Sequence, residues 1–143
     1  MSTVKQLLDF KGHEIIAIDP DATVYAAVER MAERQIGALL VLEQGRLAGL
    51  FSERDYARKV VLKGKSSRET LVRDVMTREL ICVAPDTSVD ACMALMTARR
   101  VRHLPVLEQG KLIGIVTIGD AVRQLMADKD FTITQLEQYI FQG

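Results

Sequence analysis

Residues 36–55 read IGALLVLEQGRLAGLFSERD, and residues 101–120 read VRHLPVLEQGKLIGIVTIGD. The phrases are offset by 65 positions, and the register extends without a gap over residues 18–61 and 83–126. Roughly a third of the aligned positions are identical, enough for an internal repeat to decide the fold. Pro20-Asp21 meets Pro85-Asp86, and Met31 meets Met96. Val41-Leu-Glu-Gln-Gly45 meets Val106-Leu-Glu-Gln-Gly110. Gly49 meets Gly114, Asp55 meets Asp120, and Arg58 meets Arg123.

Each copy reads the same way. A short apolar strand (residues 14–18 and 80–83) stops at a Pro-Asp turn. Val24, Val28 and Met31, echoed by Val89, Met93 and Met96, keep the i, i+4, i+7 spacing of one helix face. Two strands follow (39–42 and 47–51; 104–107 and 112–116), joined by a Glu-Gln-Gly turn as a hairpin. A second helix starts near Asp55 or Asp120. A β-α-β-β-α unit of this size is marginal alone. The expected fold is therefore α/β: two pseudo-twofold-related units packed sheet against sheet. The expected domains are 1–66 and 67–127, with 128–143 as a separate, helical tail. KGKSSRE (63–69) reads as the linker. TLVRDVMT (70–77) reads as a short helix, and residues 4–8 play the same part before the first repeat.

Composition narrows the function. The 143 residues balance 19 Lys and Arg against 19 Asp and Glu, without the basic excess of a dedicated nucleic-acid binder. The N-terminus has charges and no long apolar core, so no secretory signal is expected, and no run is long enough for a membrane span. Cys82 and Cys92 form no CxxC pattern and predict neither a disulfide framework nor a zinc site. Cys92 falls on the apolar helix face and reads as core. His13 reads as a surface residue. No metal is expected, and a cytoplasmic setting is. No Walker loop, Gly-x-Gly-x-x-Gly or Gly-x-Ser-x-Gly occurs, so no catalytic residue is nominated.

Together, VRDVMT, APDTSVDACMALM and the two quoted phrases resemble a tandem pair of cystathionine-beta-synthase (CBS) domains, a Bateman module, from about Val4 to Met126. The resemblance implies a regulatory, non-enzymatic module that binds an adenosine compound: AMP, ADP, ATP, NAD or S-adenosylmethionine. It also implies a homodimer and an effector protein that reads the ligand-induced change.

Gly49-Leu-Phe-Ser52-Glu-Arg-Asp55 and Gly114-Ile-Val-Thr117-Ile-Gly-Asp120 both fit Gly-x-x-Ser/Thr-x-x-Asp at a strand-to-helix junction. Glycine admits close approach to the backbone. A helix start favours an anion, and a carboxylate suits paired ribose hydroxyls. Ser/Thr-x-x-Asp is equally a helix capping box, and the two roles are compatible. The resemblance gives Asp55 and Asp120 the ribose and builds each site from both repeats. Site A then joins Ser52, Arg54 and Asp55 to Ile81, Cys82, Arg102, His103 and Pro105. Site B joins Thr117 and Asp120 to Ile16, Ala17, Gly37 and Ala38. The cations of site A fit a di- or triphosphate, and site B, which lacks them, fits a monophosphate, a nucleoside or nothing. The alternative is a structural module without ligand, acting through protein contacts, with Tyr56, Val60, Val122, Leu125 and Met126 as its dimer face.

Overall fold

The structure, a computed structural model, describes residues 1–142. It is mixed α/β with two small sheets, and its residues cluster into two compact units.

The first-repeat unit holds Ile15–Leu80. Strand β1 (Ala17–Ile18) lies parallel to β2 (Ala38–Glu43), which pairs antiparallel with β3 (Arg46–Ser52). The β2–β3 turn places Gln44 at φ 51 and Gly45 at φ 79. Two successive positive φ values make the hairpin turn whose twist suits the strands, and Gly takes the second position at no steric cost. Helix α2 (Val24–Arg34) starts at Thr23, whose side chain accepts from the Ala26 N–H. It buries Val24, Ala27 and Met31 against Leu39, Val41 and Phe51. After β3 comes a single turn, α3 (Glu53–Asp55), then a π-helical segment over Tyr56–Val61. The Leu62 N–H donates to the Ala57 carbonyl, five residues back. Helix α4 (Val72–Val75) closes the unit, sending Val72, Val75 and Met76 into this core. The Thr77 N–H donates to the Leu50 carbonyl, and the Leu50 N–H to the Thr77 carbonyl.

The second-repeat unit joins Met1–Glu14 to the chain from Ile81 onward. Helix α5 (Val89–Arg99) starts at Ser88 and covers the hairpin of β4 (His103–Glu108) and β5 (Lys111–Thr117). Helix α1 (Val4–Lys11) starts in a Thr3–Gln6 capping box and sends Val4, Leu7 and Leu8 into the core of Val83, Val89, Cys92, Leu104 and Val116. The Val4 N–H donates to the Thr87 carbonyl, and the Val89 N–H to the Ser2 carbonyl. Each leading segment therefore serves the repeat it does not precede. Sequence order divides the chain at 66/67, whereas packing gives residues 1–14 to the second repeat and 70–77 to the first.

Three sequence expectations need correction. Val60, expected on a dimer face, is fully buried in the core of the first-repeat unit. The strand expected at 80–83 is reduced to a bridge between Val83 and Val106. In the first repeat the Leu40 N–H reaches the Ile16 carbonyl at 3.3 Å. The position matching Leu40 is Pro105, which has no N–H to give. The tail is also not a separate helix: α6 runs unbroken over Ile118–Gln142, since no Gly or Pro interrupts residues 120–142. Among the described residues no helix is long and apolar enough to cross a membrane.

Candidate functional site

The two repeated phrases sit where β3 enters α3 and where β5 enters α6. At the first, the Ser52 N–H and hydroxyl both donate to Asp55 Oδ2, at 3.0 and 3.1 Å. The Asp55 N–H donates back to Ser52 Oγ at 3.2 Å. Thr77 Oγ1 donates to Asp55 Oδ1 at 2.9 Å, and Lys59 Nζ lies 3.0 Å from the same oxygen. Asp55 is buried, and these four donors use the acceptor capacity of a carboxylate. Gly37 and Ala38 lie alongside: Ala38 pairs with Ser52, and the Glu53 N–H donates to the Gly37 carbonyl. Ile16 and Ala17 flank β2 from the parallel side. Arg54 is exposed on α3. Beside this junction Val28, Met31, Gly37, Glu53 and Tyr56 line a cavity of about 360 Å³.

At the second junction the Thr117 N–H donates to Asp120 Oδ2 at 3.0 Å, and the Asp120 N–H to Thr117 Oγ1 at 3.1 Å. The remaining partners are cations. Lys11 Nζ lies 2.5 Å from Oδ2 and also donates to the Ile115 carbonyl, and Arg123 donates to Oδ1 at 2.8 Å. Burial works to raise the Asp120 pKa, but the Lys11 ammonium and the Thr117 N–H outweigh it and hold the carboxyl below its ordinary value. His103 pairs with Thr117 across the sheet, and the Ile118 N–H donates to the Arg102 carbonyl. Burial pushes His103 below its ordinary value, and Arg102 adds to the shift, so the ring is neutral at physiological pH. Pro105 lies further along β4, accepting from the Val83 N–H. Ile81 packs against the unit's core, and Cys82 is half-buried with its thiol pKa raised by burial. Gln6, Phe10, Lys11, Asp120, Arg123 and Gln124 border a cavity of about 270 Å³.

The structure thus groups Ser52, Arg54, Asp55, Gly37, Ala38, Ile16 and Ala17 in one unit. It groups Thr117, Asp120, Ile81, Cys82, Arg102, His103 and Pro105 in the other. Both aspartates close capping boxes. The glycines of the motif serve packing: a Cβ on Gly49 would stand 2.8 Å from Met76 Sδ and from the Thr77 carbonyl, and one on Gly114 2.9 Å from Leu8. Four partners escaped the sequence reading. Lys59 stands at i+4 from Asp55 and Arg123 at i+3 from Asp120, spacings that carry the signal. Thr77 and Lys11 come from the leading segments, whose exchange between repeats leaves no periodic trace. Among the described residues no group of three His, Cys, Asp or Glu could hold a metal ion.

The model of the "CBS domain" family matches this chain twice, over residues 7–62 and 72–127. The mitochondrial CBS domain-containing protein CBSX3 of Arabidopsis thaliana is 45% identical over 128 residues, covering 86% of this chain and 62% of the relative, so the chain spans about three fifths of its length. A solved putative signal-transduction protein with CBS domains from Burkholderia ambifaria is 49% identical, with a TM-score of 0.86 over 89% of this chain and 96% of that one. The CBS domain pair of protein MJ0100, solved in complex with 5-methylthioadenosine and S-adenosyl-L-methionine, superposes at a TM-score of 0.79 over 90% of this chain and 98% of that one; at 23% identity this is a likeness of fold.

Proposed function

We propose, from the premise that this chain belongs to the CBS-domain family, that it is a regulatory module that binds adenosine compounds through the two Ser/Thr-x-x-Asp junctions. The observation that carries this reading is the duplication itself. Two buried or half-buried carboxylates stand at matching strand-to-helix junctions, each fixed by its own capping box. The complex of MJ0100 with adenosine-containing ligands supports the ligand class.

In this reading site A pairs Ser52, Arg54 and Asp55 with Ile81, Cys82, Arg102, His103 and Pro105, and takes the more highly charged ligand. Site B pairs Thr117 and Asp120 with Ile16, Ala17, Gly37 and Ala38. A ribose diol reaches either carboxylate by displacing a cation, Lys59 at Asp55 or Lys11 at Asp120. Binding therefore couples to the side chains of the π-helical segment and of α1. The module acts as a homodimer whose changed conformation an effector protein reads, and the available energy is the ligand's differential affinity for the two states. No reaction is part of this reading. It requires an aqueous compartment, for which the cytoplasm is the expectation; the relative CBSX3 is named mitochondrial.

Isothermal titration calorimetry with AMP, ATP, NADH and S-adenosylmethionine tests it, beside Arg102→Ala, Asp55→Asn and Asp120→Asn. We expect heat with at least one ligand, weakened at least tenfold by one of the three variants. No heat and no thermal shift with any of the four would favour the ligand-free structural module. The saturated hydrogen bonding of Asp55 is the observation on that side.

A further inference from the structure

Helix α6 is 25 residues long, about 37 Å at the helical rise, and the family match ends at residue 127. Every residue from Lys129 to Ile140 is exposed. An isolated helical stretch of that length is marginal in water, and its apolar side chains are uncovered. They are also ordered. Val122, Met126, Ile133, Leu136 and Ile140 are all exposed. With Lys129 they follow one another at steps of four, three, four, three and four. That alternation is the seam of a left-handed coiled coil, with a single polar residue in it.

We propose that the occupant of this seam is the same helix of a second copy, running antiparallel. The seam is self-complementary in that direction. Centred on residue 131, Met126 faces Leu136 of the second copy, Ile133 faces Lys129, and Ile140 faces Val122. A parallel pair would stack Lys129 on Lys129 within the seam. The antiparallel pair lays its aliphatic stem along Ile133 and lets the ammonium reach water. The flanks agree. Arg123 falls opposite Glu137 on one side, twice by symmetry, and Leu125 opposite the exposed Tyr139 on the other. One position opposes the arrangement: Asp130 meets its own counterpart, with Lys129 adjacent on each chain. The seam spans under three heptads, so the pairing is weak and reversible on dilution.

The proposal goes beyond the ligand reading and is independent of it. The test uses the full chain in a Cys82→Ser background. Chains carrying Met126→Cys are mixed with chains carrying Leu136→Cys under mild oxidation. We expect the mixed disulfide to dominate, and Ile133→Asp in both chains to slow it at least tenfold. Circular dichroism and thermal melting check that the exposed substitution leaves the fold intact. No mixed disulfide, self-linking of Lys129→Cys chains, or a rate unchanged by Ile133→Asp would each overturn the proposal. Nucleotide affinity plays no part in the readout, so its failure leaves the ligand reading untouched.

Discussion

Asp55 and Asp120 occupy matching positions, yet their partners differ in a way that can be measured. Asp55 is held by a hydroxyl from residue 77 and an ammonium four residues on, in the π-helical segment, whereas Asp120 is held by cations from α1 and α6. Because Lys11 competes with any ribose for Asp120, Lys11→Ala is expected to strengthen nucleoside binding at that site several-fold, read by calorimetry. Lost or unchanged affinity would show that Lys11 is no competitor. His103 sets a pH dependence. Its folded pKa lies below the ordinary 6.5, so the unfolded chain takes up the proton first as pH falls. Its contribution to stability is present above about pH 6.5, declines as pH drops through that value, and stops declining below the folded pKa. Urea denaturation from pH 8 to 5 should show this slope, and His103→Gln should flatten it. An anionic ligand beside His103 would raise its pKa, so binding there should take up a proton.

At the scale of elements, the two motif glycines are predicted to differ. The nearest neighbours of a Cβ on Gly49 include the fixed Thr77 carbonyl, while those on Gly114 belong to the flexible Leu8 side chain. Gly49→Ala should therefore cost about 1–3 kcal/mol, and Gly114→Ala less, as overpacking that a side chain can relieve. Equal losses in denaturant unfolding would contradict this. Pro105 explains why the second repeat keeps only a bridge where the first has β1. Pro105→Leu restores an N–H opposite the Ile81 carbonyl and is expected to add about 0.5–1.5 kcal/mol, visible as a protected amide at residue 105. The hairpins, α2, α5 and both helix starts were legible because they rest on local rules: the Gln-Gly turn, the Thr23 and Ser88 caps, and a 3.6-residue apolar period. The strand at 80–83 was misread because its loss depends on a proline two dozen residues away. The tail was split in two because the end of a repeat was read as the end of a helix.

At the scale of the molecule, repetition settled the fold, since the same element order occurs twice. Repetition says nothing about which leading helix docks on which repeat, because Val4–Lys11 and Val72–Val75 follow the 65-residue offset poorly. The capping half of each candidate site was readable from Ser/Thr-x-x-Asp. The cations around Asp120 were not, since Lys11 is brought there by docking. Deleting residues 1–11 should uncover the surfaces that bury Val4, Leu7 and Leu8. Amide exchange is then expected to rise first within residues 81–127, and a rise confined to 15–80 would refute that docking. The exchange of leading helices also shapes how the protein emerges from the ribosome. Helix α1 is made well before its partners, since the core it enters extends as far as Ala121, more than a hundred residues later. At about 5–20 residues per second, its apolar face stays without its partner for roughly 5–20 seconds of synthesis. A helix made more than a hundred residues before the last of its core thus waits, uncovered, for the second repeat to be made, and a chaperone would find its target in that apolar face.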